Sequence, residues 1–203
     1  MEKFLESCCV SAEQVNFAQK HGARRIELCE NLEVGGVTPS RELLELVMSL
    51  ADIPVNVLVR PRGGDFVFNE GEVISMLDDI EMCAELGASG VVIGALDSEG
   101  NVDMSTMRRL VSRARELGLS VTFHRAFDVC ADPLEAFERV VELGCDRLLT
   151  SGHEADAYKG RELIATLVDK HSVIVMAGCG VRPSNIDLIR ADEYHASFSF
   201  FRN

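Results

Sequence analysis

Short runs of consecutive apolar residues alternate with longer mixed segments along the whole chain. Four of the longer segments end at a glycine, and an apolar run begins two or three residues later, as with Gly87 before SGVVIG and Gly118 before SVTFH. This spacing predicts a helix that ends in a left-handed cap and is followed by a strand. The apolar runs lie near residues 4–8, 25–29, 54–60, 90–95, 119–124, 146–151, 172–177 and 193–197.

The mixed segments between these runs predict helices. Continuous apolar strands are typical of a parallel sheet covered by helices, and the strict alternation of strand and helix predicts the α/β class. Eight strands fit a closed (β/α)8 barrel of the TIM type. An open doubly wound sheet is the alternative, but no GxGxxG motif follows the first strand. The predicted helices lie near residues 11–21, 40–50, 70–86, 103–117, 133–143, 157–170 and 183–190.

The chain ends soon after the eighth apolar run. Only Phe198 to Asn203 follow it, so the eighth helix is predicted to be short or missing. The outer face of the last and first strands would then be covered by Phe198, Phe200 and Phe201 or by a second subunit, since exposed apolar patches usually mark a partner. We therefore expect a homodimer or a higher homo-oligomer. No linker-like stretch interrupts residues 1–203, which predicts a single domain.

Composition narrows the classes of partner. The net charge of −13 disfavours nucleic acids and anionic membranes, because both repel an acidic surface. No apolar run reaches the ~18 residues of a membrane span, and the amino-terminal MEKFLESCC lacks the basic flank of a signal peptide. A cytoplasmic location is expected. Seven cysteines without CxxC spacing argue against a zinc ribbon or a disulfide framework.

Polar residues within the apolar strands are candidates for function, because burying them without a partner is costly. Side chains alternate along a strand, and those near the carboxyl ends of barrel strands face the ligand site. The candidates at or just after these strand ends are Cys8, Glu27, Cys29, Arg60, Arg62, His124, Arg125, Asp128, Ser151, Gly178, Gly180, Asn185 and His195.

Several of these residues lie in motifs that resemble the CutC family. The segments RIELC, GGVTPS, RPRGGDF, VTFHRAFD, LLTSG and AGCGV occur in the order and spacing of that family, from the first strand to the eighth. The most specific motifs span residues 60–66 and 122–128. The resemblance implies a CutC-like TIM barrel, cytoplasmic and oligomeric, with a role in copper homeostasis. Longer members continue past the eighth strand, and Ser199 to Asn203 resembles a stretch that they carry further along.

The first functional hypothesis is copper(I) binding. Copper(I) is a soft ion that prefers thiolates. Cys8 and Cys29 lie at matching depths on adjacent predicted strands, so their sulfurs are expected to meet, whereas Cys9 points to the other face. Cysteines at these positions also resemble those linked with copper in the family. No CxxC or Met-rich copper motif accompanies them, and no organic cofactor is evident.

The alternative is an enzyme or binding protein for a small anionic metabolite, either phosphorylated or carboxylated. Imidazole and carboxylate groups exchange protons near neutral pH, and arginine binds anions in bidentate fashion. Backbone N–H groups near the predicted helix at 183–190 would add to such a site. The reaction stays open. The predicted catalytic residues are Glu27, Arg60, His124, Asp128 and His195, and the predicted ligand-binding residues are Arg62, Arg125, Ser151, Gly178, Gly180 and Asn185.

Two other hypotheses concern the same residues. Glu27, His124 and His195 would suit a divalent metal if their ligand atoms lay within ~2.0–2.2 Å of a common point. A non-catalytic scaffold would need none of these costly inward polar groups.

Overall fold

A closed barrel forms the centre of the molecule. The structure is a computed structural model that describes residues 3–202. Eight parallel strands pair in chain order, and the last pairs with the first. The predicted (β/α)8 class is therefore confirmed. The strands are β1 (Leu5–Cys9), β2 (Arg25–Leu28), β3 (Val55–Leu58), β4 (Gly90–Ile93), β5 (Ser120–Phe123), β6 (Arg147–Thr150), β7 (Ile174–Ala177) and β8 (Glu193–Ser197).

Helices surround this barrel. Within the described residues there are six α-helices and four short 3-10 helices. The α-helices are α1 (Ala12–Lys20), α2 (Arg41–Met48), α3 (Glu70–Glu85), α4 (Met104–Glu116), α5 (Pro133–Glu142) and α6 (Arg161–Val168). The 3-10 helices are Leu32–Val34, Arg125–Val129, Ile186–Leu188 and Phe198–Arg202.

Local sequence determines where these helices begin and end. At the start of α3, the Asn69 side chain accepts the N–H of Glu72, and the Glu72 carboxylate accepts the N–H of Asn69. This reciprocal pair is a capping box. Gly87 after α3 and Gly118 after α4 have φ angles of 84° and 77°. Glycine takes this left-handed conformation at little cost, so the helix stops and the next strand can enter the barrel.

The two faces of the strands have different environments. Outward residues such as Val57, Val91 and Leu148 are fully buried and pack with helix residues in one large apolar core. Inward residues are mixed: Leu58 and Val92 form a small apolar cluster with Cys29, while Asn56 and Thr122 are buried polar groups. The sheet is therefore attached to its helices by hydrophobic burial, and polar chemistry is confined to the barrel interior.

A buried network of charges closes the amino-terminal end of the barrel. Arg25 of β2 pairs with Glu6 of β1 and, at 2.5 Å, with Glu193 of β8. Arg147 of β6 donates to the same Glu193 oxygen at 3.0 Å. Glu6, Arg25 and Glu193 are all less than 10% exposed. Burial removes water from each charge, so the ion pairs with its partners must replace the stabilisation that water would give.

His195 of β8 extends this network toward the barrel centre. Its Nδ1 lies 2.8 Å from an Oε of Glu6. Burial alone would raise the pKa of Glu6, but the hydrogen bond with His195 and the charge of Arg25 lower it to about 2. Burial would lower the pKa of His195, but the carboxylates of Glu27 and Glu6 raise it to about 9. The two side chains therefore form an ion pair at neutral pH.

The prediction of a helix near residues 183–190 is wrong, because only the short 3-10 helix Ile186–Leu188 forms there. The Asn185 side chain accepts the N–H of Arg182 and donates to the carbonyl of Gly180. Side-chain bonds of this kind compete with the helical pattern. Among residues 3–202, no α-helix begins after β7 that could point its first N–H groups at an anion.

The chain after β8 takes the place expected of an eighth helix. It forms the 3-10 helix Phe198–Arg202, so the prediction of a short or missing helix agrees with the structure. Phe201 is buried in the main core, and the Phe198 ring packs edge-on against Phe17 of α1 at 5.2 Å. Asn203 lies outside the described residues. No helix among residues 3–202 is both long and apolar enough to cross a membrane.

Replacing Arg25 with methionine is expected to lower the free energy of unfolding by about 3–5 kcal/mol, because it leaves buried carboxylates short of a cation. Urea denaturation would measure the change. The matched control is Arg109→Met, which removes an exposed ion pair with Glu70 and should cost less than about 1 kcal/mol. Equal losses for the two variants would contradict the structural role of the buried network.

Stability is expected to fall as the pH rises toward 9. The folded state holds the His195 proton to about pH 9, whereas the reference pKa is 6.5. The stabilisation is therefore complete below pH 6.5 and lost as the pH passes about 9, which is a change on the order of a few kcal/mol. Urea denaturation at several pH values would measure it. His195→Asn should lose less stability over the same range, and parallel pH profiles for the two proteins would contradict the ion pair.

Candidate functional site

A large cavity opens at the carboxyl ends of the strands. Its volume is about 1290 Å³, above the ~300–1,000 Å³ of pockets that hold drug-sized ligands. Its polar lining comes from residues within the strands, such as Glu27 and His195, and from the loops that follow them. The predicted residues that line it are Cys8, Glu27, Cys29, Arg60, His124, Arg125, Asp128, Gly180 and His195.

Two thiols meet on one side of this cavity. Cys8 of β1 lies beside Glu27 of β2 in the strand register, and Cys29 follows directly after β2. The two sulfurs are 3.7 Å apart, and both cysteines are free thiols. Cys9 faces the helical shell, where its sulfur lies 3.4 Å from the Ser7 hydroxyl. Strand alternation therefore gives adjacent cysteines different environments and brings Cys8 to Cys29.

The thiol pair lies beside an acid and an imidazole. Ligand atoms of Cys8, Glu27 and His195 all lie within 4.8 Å of one another, a spacing that could hold a metal ion. Glu27 Oε2 is 3.9 Å from His195 Nδ1 and has no hydrogen-bond partner among the described residues. His124 is not in this group, so the predicted divalent site of Glu27, His124 and His195 is not assembled as such.

Burial and neighbouring charges alter the protonation of this group. The hydrogen bond with Cys29, together with burial and the charge of Glu27, raises the pKa of the Cys8 thiol well above its ordinary value. Burial raises the pKa of Glu27 to about 7, and the Glu6 carboxylate adds to the increase. Near neutral pH, Cys8 is therefore a neutral thiol and Glu27 is partly protonated, while His195 carries a positive charge.

Arg60 and His124 lie on another part of the wall. Arg60 follows β3 and donates to the backbone carbonyls of Val34, Gly36 and Gly64. His124 follows β5, and its Nδ1 accepts the N–H of Ala126 at 3.1 Å. Burial and the charge of Arg60 lower the pKa of His124 to about 3. This imidazole is therefore neutral at physiological pH, in contrast to His195.

The Asp128 carboxylate is already held by hydrogen bonds and an ion pair within the protein. It accepts the N–H groups of Ser151 and His153 and the Thr150 hydroxyl, and it pairs with Arg125 at 2.8 Å. These bonds join the 3-10 helix after β5 to the loop after β6. A carboxylate with this many donors is poorly placed to accept a substrate proton, so Asp128 is a weaker base candidate than the sequence predicted.

Other predicted ligand-binding residues have local partners. Arg62 lies outside the cavity lining and pairs with Glu72 and Asp65. The Ser151 hydroxyl donates to the Glu154 carbonyl. Asn185 closes its own loop through the bonds described above. At Gly178, an added Cβ would lie 2.4 Å from the Leu149 side chain. A larger residue at this position would therefore push against Leu149.

The sequence analysis missed some contributors to the cavity. Phe66 lines it and packs against both Arg60 and His124. Leu32 and Val34, which are half-exposed, form part of an apolar rim. They belong to a loop between β2 and α2 whose path depends on tertiary contacts. The signal for Phe66 was its place in the RPRGGDF motif, next to the residues that were selected.

Comparison with known proteins identifies the family. The model of the CutC family matches residues 3–199. A protein named CutC from Parabacteroides distasonis is 49% identical, in a match that covers 97% of this chain and 83% of that protein. A CutC protein from Xylella fastidiosa is 50% identical, over 95% of this chain and 74% of its own length.

A solved structure gives the same result. The crystal structure of a Streptococcus agalactiae protein that carries the name copper homeostasis protein CutC superposes with a TM-score of 0.89. The two chains are 30% identical, and the match covers 97% of this chain and 99% of that one. With the family motifs, the barrel and these relatives in agreement, the chain belongs to the CutC family.

Proposed function

We propose that this protein contributes to copper homeostasis by binding copper(I) between the thiolates of Cys8 and Cys29. The observation that carries the proposal is the distance of 3.7 Å between the two sulfurs on the cavity wall. The copper homeostasis name of the Streptococcus agalactiae relative supports it. Copper is the cargo of this site, and it enters and leaves through the cavity.

The donor set suits this ion. Copper(I) is soft and favours thiolate ligands over the oxygen ligands of hard ions. With metal–sulfur bonds of about 2.3 Å, as for Zn²⁺, two sulfurs on one ion lie at most about 4.6 Å apart. The separation of Cys8 and Cys29 fits a bent arrangement without movement of the strands. Leu58 and Val92 pack against Cys29 and keep that side of the site apolar.

His195 acts in the proposed site as a countercharge. Two thiolates and one Cu⁺ leave a net charge of −1, which the nearby imidazolium stabilises. A protonated imidazole has no lone pair for a metal, and its ion pair with Glu6 keeps the proton in place. The copper ligands are therefore the two sulfurs, with a third position open toward the cavity. Thiols must stay reduced to bind copper(I), and the cytosol is the compartment that keeps them so.

One equivalent of Cu(I) per chain is expected to bind tightly to the wild-type protein. The double variant Cys8→Ser/Cys29→Ser should lose this binding, because serine hydroxyls are hard and weakly acidic donors. Anaerobic titration against a coloured Cu(I) chelator would measure the difference.

Cys179→Ser is the matched control. Cys179 also lines the cavity, but its thiol donates to the Ala155 carbonyl and is not paired with another cysteine. This variant should retain wild-type affinity. The copper site would be disproved by equal affinity in the double variant, or by a loss in Cys179→Ser that matches the loss in the double variant.

The apparent affinity for Cu(I) is expected to increase with pH. The Cys8 thiol is protonated at neutral pH and must release its proton to the solvent when the metal binds. Affinity should increase by about tenfold per pH unit for each thiol proton displaced. Chelator competition between about pH 6 and pH 8 would measure the slope, and an indicator dye in weak buffer would count the protons. An affinity that does not change with pH would contradict thiolate ligation.

A further inference from the structure

Two side chains of the cavity wall each keep one hydrogen-bond donor without a partner. They are Arg60, through Nε, and His124, through Nε2. Both side chains line the cavity, and each residue is only 5% exposed. A buried donor without an acceptor is costly, because it has lost its hydrogen bonds to water. Within residues 3–202, nothing in the fold uses these two N–H groups.

The tautomer of His124 follows from its other nitrogen. The N–H of Ala126 points at Nδ1, and a backbone N–H can only donate. Nδ1 therefore carries the lone pair and the proton lies on Nε2. The low pKa of this imidazole agrees with that assignment. His124 thus presents a neutral N–H donor that does not change its protonation near neutral pH.

Arg60 brings a charge that the protein does not neutralise. Its Nη atoms donate to three backbone carbonyls, which fixes the plane of the guanidinium. No carboxylate of the described residues lies within 4.0 Å of its nitrogens, whereas Arg62 has two such partners. A buried cation without a counterion is expensive to keep. Its presence at a cavity favours an anion as the missing partner.

Packing holds the two donors in place. The Phe66 ring lies 4.6 Å from Arg60 Cζ and 4.9 Å from the ring centre of His124. Below the imidazole, a Cβ on Gly94 would lie 2.5 Å from its Nδ1, so this position requires glycine. Groups locked by packing are preorganised and lose little entropy when a ligand binds.

We propose that Arg60 and His124 form a binding subsite for the carboxylate of a small organic acid whose apolar body lies along the cavity wall. Arg60 has no carboxylate partner among the described residues, and two N–H groups of the cavity wall have no acceptor, which suits a monoanionic ligand. A phosphate dianion would need more charge and more donors than Arg60 and His124 supply. Leu58, Leu149 and Phe66 provide apolar wall for the rest of the molecule.

This subsite is separate from the proposed copper ligands. Arg60 and His124 follow β3 and β5, whereas Cys8 lies on β1 and Cys29 follows β2, so the two proposed sites use different side chains. Carboxylate binding therefore does not require the thiol pair, and the two proposals can fail independently.

The test uses acetate and benzoate as probes, with acetamide, benzamide and inorganic phosphate for comparison. Isothermal titration should show binding of a carboxylate and weaker binding of its amide by about tenfold or more, because a charge-assisted hydrogen bond is lost. The ¹⁵N signals of His124 should report an Nε2–H tautomer in the free protein, and the Nε2 signal should shift when the carboxylate binds.

Variants locate the subsite. His124→Phe keeps a ring but removes the donor, and it should weaken carboxylate binding by about tenfold or more. His124→Gln, which restores an N–H, should recover part of that loss. Arg60→Met should abolish binding, and circular dichroism would check that it folds, since Arg60 also supports three carbonyls. If Arg60→Met does not fold, the His124 pair still decides the question.

Two controls should bind carboxylates as the wild type does. Arg62→Met removes an arginine that lies outside the cavity, and Cys8→Ser/Cys29→Ser removes the proposed copper ligands. The proposal would be overturned if neither acetate nor benzoate bound, if His124→Phe bound them normally, or if phosphate bound more tightly than both. Carboxylate binding that persists in the cysteine variant would support the subsite even if copper binding failed its own test.

Discussion

The closure of eight short strands into a barrel is the constraint on which the rest of this structure depends. Closure gives every second side chain an interior with little access to water, where each polar group needs a partner. At the amino-terminal end, Glu6, Arg25, Arg147 and Glu193 satisfy one another. At the carboxyl end, nitrogens of Arg60 and His124 and an oxygen of Glu27 remain unpaired. The amino-terminal end is thus held by ion pairs of the protein itself, whereas several groups further along the interior, Asn56 and Thr122 among them, have no partner among the described residues.

The two histidines of the cavity show how position in this interior determines chemistry. Both are buried, and burial alone favours the neutral imidazole. His195 lies between carboxylates and keeps its proton. His124 accepts a backbone N–H and lies near Arg60, so it stays neutral. The first is suited to balance negative charge at the thiol pair, and the second is suited to donate a hydrogen bond.

The proposed copper site and the proposed carboxylate subsite occupy different parts of one cavity of about 1290 Å³. Copper(I) would lie between β1 and β2, whereas Arg60 and His124 follow β3 and β5. This layout leaves room for both ligands in the same cavity. The copper homeostasis name of the Streptococcus agalactiae relative bears only on the proposed copper site.

The sequence by itself determined the class of fold, the family and the meeting of Cys8 with Cys29. The class of fold and the thiol contact rest on local properties: apolar runs, glycine caps and the alternation of side chains, which together specify strands and their inward residues. The family rests on the resemblance of motifs such as RPRGGDF and VTFHRAFD. The tertiary structure alone decided which polar groups are left free. Asp128 is occupied by donors from β6 and the loop after it, Arg62 points away to Glu72, and Asn185 binds its own loop and prevents a helix. Hydrogen-bond partners come from segments distant in the chain, so no local pattern could show that Arg60 and His124 would keep a donor each.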